Sequence, residues 1–451
     1  MIMLKRSALK LLGRVLKILA RLTVRRYHPG IVGVTGSAGK TSTKDAIAVV
    51  LGRSRRVRAA SKSYNNEIGF PLTILGEWEG SGGIFFWCRV LAVSLANLIG
   101  RAESYPEVLV LEYGVDRPGD MRFLLDTVRP HIGVFTAMGA IPVHVEFFAG
   151  PDAVVGEKAK LVRELPATGF AVLNADDEAV LATKALTRAQ VMTFGFGESA
   201  HVRVVNFANH TEGEHAAITF KISYGGSVVP VRLEGAVGRA YAYAAAAAAA
   251  VGLVFGENLV SITETLRGFQ APPGRLRAFA GLRGSLIIDG TYNASPLAMR
   301  EALETLKAVS AKRTIAVLGD MLEIGKYTLQ AHEEAGRAAA KCADILVTVG
   351  LRAKFIAEAA AKAGLPVRSQ AKEGFPPRAI HAFLTLGETA EFLRGTLASG
   401  DVVLLKASQS VRLERVVKEI MAEPGKAAEL LVRQEKEWLK KKGLYDEGEL
   451  G

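Results

Sequence analysis

The chain has 451 residues, of which 49% are apolar, and it carries a formal net charge of +12 with two cysteines. This length and apolar fraction are enough for about two or three domains with their own cores. Cys88 and Cys342 are far apart and have no second ligand pair nearby. They therefore indicate neither a disulfide framework nor a zinc site, and they favour a reducing cytoplasm.

The first segment, residues 1–29, is predicted to be a basic amphipathic helix. Its first 26 residues hold eight lysines and arginines and no acid, with apolar residues between them at helical spacing. The rest of the chain carries only about +4, so nucleic acid is not expected as a partner. The helix can lie on the inner face of an anionic membrane through residues 3–26, or pack on its own domain or on a partner. Charges interrupt every apolar stretch and no small-residue cleavage site follows, so a signal peptide is not expected.

A glycine-rich loop follows the first predicted strand. Residues 31–34 are a short buried strand, and residues 45–51 have apolar side chains at helical spacing. The loop between them is a shortened P-loop, because Val34 stands where the full motif has its first glycine. An ordinary glycine-rich turn is the alternative. The residues predicted to surround the phosphates of ATP are Thr35, Gly36, Ser37, Ala38, Gly39, Lys40, Thr41 and Ser42, with the Thr41 hydroxyl on Mg²⁺.

Two more polar residues follow predicted strands. Glu112 ends a buried strand at 107–112, and His144 follows a strand at 131–136 by a few residues. Ligands of parallel α/β sheets bind at the carboxyl ends of the strands, so Glu112 is predicted to hold a metal near the phosphates. A buried carboxylate without a partner would be costly. His144 is predicted to contact a metal or phosphate, with a structural histidine as an equal alternative.

Other segments complete the first half of the chain. Asn65 and Asn66 lie in a polar loop and can present amides to a ligand or cap a turn. The apolar run at 84–99 is too short to span a membrane and is predicted to be a buried or interfacial helix. Residues 200–234 alternate as short strands and predict a small antiparallel addition.

The second half restarts an alternation of strands and helices. It begins after residues 268–276, which are rich in proline and glycine and form the predicted domain boundary. The predicted fold class is α/β, with a P-loop domain containing a mostly parallel sheet and a C-terminal Rossmann-like domain. The predicted segments are the basic helix at 1–29, a central ATP-binding domain at 30–271, a C-terminal domain at 272–422 and a charged, solvated tail at 423–451.

Eight motifs, taken in order, resemble the Mur ligases, the ATP-dependent amide ligases of peptidoglycan precursor synthesis. The resemblance is strongest to the MurF type, which joins D-alanyl-D-alanine to a UDP-muramoyl tripeptide, and it covers roughly residues 30–422. Each motif alone is weak, but the shared order is specific. They are 35–42, 65–73, 111–114, His144 with Lys158, 273–276, 289–296, 318–325 with His332, and 405–410.

The resemblance implies roles for residues of the central domain. Lys40 and Thr41 would hold the ATP phosphates and the first Mg²⁺, and Glu112 would bind that metal. His144 would lie on or near a second metal. Lys158 matches a lysine that is carbamylated in several family members and then binds the second metal, and an unmodified surface lysine is the alternative. Lys40, His144 and Lys158 are the implied catalytic residues.

The resemblance also implies contacts to the nucleotide and the substrates. The nucleotide contacts in the C-terminal domain are Arg275, Asp289 and Asn293. The substrate contacts are Asn65, Asn66, Lys406 and Ser408, of which Lys406 and Ser408 lie in the loop that meets the incoming amine.

The chain departs from the family pattern at its start. About 30 residues precede the loop, too few for the domain that binds the UDP end of the substrate. We therefore expect the UDP group to be held by a partner protein or beside a membrane, or the acceptor to differ. Gly290, Ala407 and Gln409 also replace usual family residues. Alternatives are a folylpolyglutamate-synthase-like or lipid-precursor-modifying ligase, an inactive nucleotide-binding scaffold and, least favoured, a nucleic-acid-dependent ATPase.

Overall fold

A computed structural model describes residues 2–60, 66–78, 83–100, 104–366 and 379–446, with the side chains of the first helix described from Leu11 onward. Within these ranges the chain forms two α/β domains, each built on a mostly parallel sheet. The predicted fold class is therefore confirmed. No helix in the described part of the chain is both long enough and apolar enough to cross a membrane.

The first domain is built on a nine-stranded sheet. Its strands are β1 (Gly30–Thr35), β2 (Val57–Ala59), β3 (Val108–Glu112), β4 (Ile132–Phe135), β5 (Phe170–Asn174), β6 (Gln190–Gly195), β7 (Val202–Glu212), β8 (His215–Tyr224) and β9 (Ser227–Glu234). They lie in the order β2-β3-β1-β4-β5-β6-β7-β8-β9, and every pair from β2 to β7 is parallel. The antiparallel pairs β7-β8 and β8-β9 confirm the predicted addition at 200–234.

Helices cover both faces of this sheet. They are α1 (Ile2–Tyr27), α2 (Lys40–Gly52), α3 (Gly69–Leu75), α4 (Ile84–Ile99), α5 (Asp120–Thr127), α6 (Pro151–Arg163), α7 (Glu178–Ala182), α8 (Arg239–Val254) and α9 (Leu259–Leu266). Strand alternation divides the core: Leu109 and Leu111 join the cluster under α1, whereas Val108 and Val110 join the cluster with α2 and α8. The alanine-rich α8 packs directly on α2 because its small side chains allow close approach.

The second domain has a six-stranded sheet in the order β10-β11-β15-β12-β13-β14. Its strands are β10 (Arg277–Ala280), β11 (Leu286–Asp289), β12 (Arg313–Gly319), β13 (Ile345–Val349), β14 (Ala379–Phe383) and β15 (Asp401–Lys406). Only the edge pair β10-β11 is antiparallel. The helices are α10 (Pro296–Ala308), α11 (Thr328–Ala339), α12 (Lys354–Lys362), α13 (Leu386–Thr396), α14 (Glu414–Ile420), α15 (Ala427–Leu430) and α16 (Lys436–Lys440).

The basic segment before the P-loop and the apolar run at 84–99 differ in how much of each helix is buried. The basic segment forms the predicted helix α1 and packs on its own domain, where Leu16, Leu19 and Ala20 are buried. The apolar run at 84–99 forms α4, but only Val90 and Ser94 of that helix are buried. The prediction of a buried helix there is therefore wrong, and the interfacial alternative stays open.

The tail after residue 423 is largely exposed as far as Asp446, but a few of its side chains are buried and anchor it to the second domain. Arg433 is buried and its Nη1 lies 3.0 Å from Glu414 Oε2, while Arg412 Nε lies 2.5 Å from Glu414 Oε1. Tyr445 is also buried, and its hydroxyl donates to Asp320 at 2.5 Å. A dense run of charges predicts solvation, but the partners of these side chains come from earlier in the chain.

We predict that Glu414→Ala lowers the free energy of unfolding by about 3–5 kcal/mol, because Arg412 and Arg433 are left buried without their shared carboxylate. The midpoint of urea unfolding measures this loss. The matched control is Glu423→Ala, since Glu423 pairs with Lys426 on the exposed surface and its loss should shift the unfolding midpoint little. Equal losses in the two variants would contradict the assigned burial of Arg412 and Arg433 beside Glu414.

Candidate functional site

The loop between β1 and α2 curls around the carboxyl end of β1. Gly39, directly before α2, has a φ of 80°, and Gly36 has a φ of 144°. A Cβ on Gly36 would lie 2.0 Å from Thr136 Oγ1, so the turn requires glycine there. The Ser37 N–H donates to the Ala137 carbonyl at 2.6 Å and holds the loop against the segment after β4. The N-terminus of α2 thus faces a space suited to phosphate.

Other loop residues hold the loop itself in place. The Thr35 hydroxyl donates to the Tyr113 carbonyl at 2.8 Å and joins β1 to the segment after β3. The Thr136 hydroxyl approaches the carbonyl of Ala38 at 2.5 Å. Ser42 is buried in the first turn of α2. These bonds fix the backbone, whereas the side chains of Lys40 and Thr41 form the chemical part of the loop.

Two lysines converge on one carbonyl oxygen of the loop. Lys40 Nζ donates to the Gly36 carbonyl at 2.9 Å, and Lys158 Nζ, from α6, donates to the same oxygen at 3.2 Å. Lys158 is only 1% exposed, so the alternative of a surface lysine is wrong. Burial and then the Lys40 charge hold the pKa of Lys158 well below its usual value, and burial also lowers the pKa of Lys40. An anionic ligand would relieve this concentration of cations.

Glu112 supplies a buried carboxylate beside the loop. It is the last residue of β3 and lies opposite Val34 in the parallel pairing with β1. Its side chain is 2% exposed, and its Oε1 has no hydrogen-bond partner. The Glu112 charge raises the pKa of Lys40 against the effect of burial. An unpartnered buried oxygen is costly, so Oε1 is an open position for a cation.

The segment 268–276, which we call the hinge, joins the two domains between α9 and β10, and its Arg275 reaches the P-loop. Arg275 Nη2 donates to Thr41 Oγ1 at 2.9 Å, and the guanidinium carbon lies 3.8 Å from the centre of the Tyr292 ring. The Arg275 Nε is buried and has no hydrogen-bond partner. The Tyr241 hydroxyl donates to the Arg275 carbonyl and fixes the hinge backbone. A third cation with an open donor therefore reaches the glycine-rich loop.

His144 lies between two carboxylates, one from each domain. Its Nε2 is 3.1 Å from Asp116 Oδ1, and its Nδ1 is 2.8 Å from Glu323 Oε2. Contact with His144 lowers the pKa of Glu323. Sequence reasoning assigned neither carboxylate, although Glu323 lies in one of the ordered motifs, at 318–325. In the described ranges no three or more His, Cys, Asp or Glu side chains are grouped to hold a metal.

Asp289 bonds to the hinge with one carboxylate oxygen and to Thr291 with the other. Its Oδ2 accepts the Gly274 N–H at 3.1 Å, and its Oδ1 accepts the N–H and the hydroxyl of Thr291 at 3.0 and 2.6 Å. The residue is fully buried, and burial raises the pKa of its carboxyl. In this arrangement Asp289 positions the turn that carries Arg275. Its predicted contact to nucleotide stays a prediction.

The predicted residues Asn293, Lys406 and Ser408 lie together. Lys406 Nζ donates to the Asn293 carbonyl at 2.9 Å and to the Gly290 carbonyl at 3.3 Å. Ser408 Oγ accepts the Leu322 N–H at 2.9 Å. The ends of β11, β12 and β15 are thereby joined in one network at the carboxyl edge of the second sheet.

Asn66 caps a helix. Its Oδ1 accepts the N–H groups of Ile68 and Gly69 at 3.2 and 2.7 Å, just before and at the start of α3. This is the turn-capping alternative of the sequence analysis. Asn65 lies outside the described residues, and its substrate contact stays a prediction.

Comparison with known proteins identifies the family that this chain resembles. Residues 92–252 match the Mur ligase middle domain, and residues 274–409 match the Mur ligase, glutamate ligase domain. A UDP-N-acetylmuramoyl-tripeptide–D-alanyl-D-alanine ligase of Mycobacterium bovis is 32% identical over 412 residues, covering 87% of the chain and 73% of that protein. The ligase of the same name from Bacillus subtilis is 27% identical over 411 residues, covering 91% and 79%.

The folded structure supports the same relationship. The crystal structure of MurF ligase from Thermotoga maritima in complex with ADP matches with a TM-score of 0.72 at 26% identity, covering 90% of the chain and 83% of that structure. These similarities, together with the ordered motifs and the two sheets, show that the chain belongs to the Mur ligase family of ATP-dependent ligases, within which it resembles the MurF type.

Proposed function

We propose that this chain is an ATP-dependent peptide ligase of peptidoglycan precursor synthesis. It would activate the carboxylate of a UDP-muramoyl tripeptide and join it to D-alanyl-D-alanine. The observation that carries the proposal is the convergence of Lys40, Lys158 and Arg275, from both domains, on the glycine-rich loop. The relatives from Mycobacterium bovis and Bacillus subtilis are both named as ligases with this activity.

The first chemical step brings two anions together. A carboxylate oxygen attacks the γ-phosphorus of ATP, the bond to the β-phosphate bridging oxygen breaks, and ADP leaves. Lys40 and Arg275 lower the repulsion between the carboxylate and the phosphates because both cations are already in place before the reaction. The amine of the second substrate then attacks the acyl carbon, and inorganic phosphate leaves.

The acyl phosphate must be kept from water. Two contacts support a closed cleft: Arg275 with Thr41 at 2.9 Å, and His144 with Glu323 at 2.8 Å. Each contact joins the two domains beside the loop. Domain closure that excludes water is a common requirement for reactive intermediates of this kind.

Mg²⁺ belongs to the proposal because the donor set fits it. The Thr41 hydroxyl and the unpartnered Glu112 Oε1 are hard oxygen ligands, and Mg²⁺ is usually held by one or two carboxylates together with substrate phosphates. When bound with ATP, the ion would neutralise phosphate charge. The lowered pKa of Lys158 favours the neutral amine that carbamylation requires.

We also propose a cytoplasmic location at the inner face of the membrane, with contact through residues 3–26. The support is the side of α1 that faces away from the domain, where Arg14, Arg21 and Arg25 are exposed. Basic amphipathic helices of this composition bind anionic lipid surfaces.

Phosphate release from Mg-ATP tests the ligase activity directly. We expect release only when UDP-muramoyl tripeptide and D-alanyl-D-alanine are present together. Lys40→Ala should abolish turnover, and parental turnover in that variant would remove the proposed site. A protein that binds ATP yet releases no phosphate would point to another acceptor or to a required partner protein.

Arg275→Ala should lower kcat by roughly 10²- to 10³-fold, because it removes a preorganised cation from the phosphate side of the cleft. Steady-state kinetics at saturating ATP measure this loss. The matched control is Arg277→Ala, whose guanidinium instead donates to the Glu429 carbonyl, and it should retain parental kcat. Similar losses in both variants would indicate a general defect of the hinge.

The lowered pKa of Lys406 predicts that kcat/KM falls at alkaline pH. Burial and then the Arg275 charge lower the pKa of Lys406 to about 8. The ammonium that binds the Asn293 carbonyl is therefore present below this pH and is lost as the pH rises through it. We expect kcat/KM for D-alanyl-D-alanine to fall above pH 8, and Lys406→Arg to move the fall to higher pH. The exposed Lys307→Arg serves as the control, and an unmoved limb in Lys406→Arg would contradict the assignment.

A further inference from the structure

Helix α4 presents an apolar stripe to solvent. Phe85, Cys88, Ala92, Leu95 and Ile99 are all exposed, and their spacing of three and four residues places them along one side of the helix. Phe85 is 89% exposed and Ile99 is 85% exposed. A contiguous apolar stripe of this kind marks a surface that interacts with a partner or a membrane.

The other side of α4 is anchored, so the stripe is held outward. Val90 and Ser94 are buried against the domain. At the C-terminal end of the helix, the Tyr27 hydroxyl donates to the Asn97 carbonyl at 2.6 Å, and Arg26 Nη2 donates to the Gly100 carbonyl at 3.0 Å. Helices α1 and α4 therefore form one unit.

The exposed side of α1 adds both apolar and basic groups to this unit. Leu11, Ile18 and Leu22 recur at spacings of seven and four residues and are exposed. Arg14 and Arg21 are exposed on the same outward side. The sequences of α1 and α4 contain no aspartate or glutamate. We call the exposed side of these two helices the α1/α4 surface.

The basic character continues into a groove beside α1. An open cavity of about 650 Å³ is lined by Arg21, Arg25 and Arg129 among other residues. Its acidic lining residue, Asp126, is already paired with Arg122 at 3.1 Å. The groove therefore offers cationic groups of the kind that bind a phosphate-bearing headgroup.

This charge pattern favours an anionic bilayer over a second copy of the chain as the partner of the α1/α4 surface. A second copy of the chain would bring like charges together, because the α1/α4 surface has no carboxylate to pair with its arginines. An anionic bilayer supplies phosphates for the arginines and an acyl region for the apolar stripe. Since neither helix is long and apolar enough to span a membrane, both would lie in the plane of the interface.

We propose that the α1/α4 surface docks on an anionic lipid bilayer, with the apolar stripe of α4 entering the interface. This extends the contact proposed for residues 3–26 and does not depend on the ligase chemistry. The docked enzyme would work beside the membrane, with α1 and α4 on the opposite side of the first sheet from α2 and α8.

Sedimentation of the full chain with lipid vesicles tests the proposal. We expect binding to vesicles of phosphatidylglycerol and phosphatidylcholine, weakened by salt, and none to phosphatidylcholine alone. Phe85→Ser and Ile99→Ser should each weaken partitioning roughly tenfold, because each removes a large apolar side chain from the interface. Arg21→Glu should weaken it by roughly fivefold or more. Matched exposed controls are Val228→Ser and Arg188→Glu, which should bind like the parent.

Several results would overturn the proposal. They are failure of the parent to bind the anionic vesicles, equal losses in the control variants, and self-association without lipid that Phe85→Ser abolishes. Specific capture of an acidic protein in place of lipid would also overturn it. The midpoint of urea unfolding reports whether Phe85→Ser and Ile99→Ser are folded, independently of the phosphate-release assay. Because that assay is separate, a failed ligase test leaves the vesicle result interpretable, and the reverse also holds.

Discussion

The candidate site is organised around two lysine ammonium groups that donate to the same backbone carbonyl oxygen. Lys40 and Lys158 both donate to the Gly36 carbonyl, and Arg275 reaches the adjacent Thr41 from the other domain. Burial lowers the pKa of both lysines, so their charged forms are costly at this site without an anion. In the proposed reaction, cations held in place before phosphate binds would be the source of electrostatic catalysis.

The second domain completes the site because side-chain contacts hold the hinge in place. Asp289 accepts the Gly274 N–H of the hinge and the Thr291 N–H, and Tyr292 stacks on the Arg275 guanidinium. The cation at the P-loop is therefore positioned by residues that need not touch a ligand themselves. His144 and Glu323 join the domains at a second point.

The outer parts of the molecule show how tertiary partners change the meaning of a charged or apolar segment. The tail after residue 423 is rich in charge, yet Arg433 is buried because Glu414 lies in the second domain to receive it. Helix α4 is rich in apolar residues, yet it remains exposed because α1 covers only one of its sides. In both segments, contacts between distant residues decided burial, and composition did not.

The amino-acid sequence by itself determined the fold class, the P-loop, the order of the motifs and hence the family, because glycine turns and apolar periodicity are local properties. It also placed Glu112 correctly at the end of a buried strand. Only the tertiary structure decided that Lys158 is buried beside Lys40, that Asp116 and Glu323 flank His144, that Asn66 caps a helix and that α4 faces outward. Those features depend on which residues meet after folding, and that information is spread over strands and helices far apart in the chain.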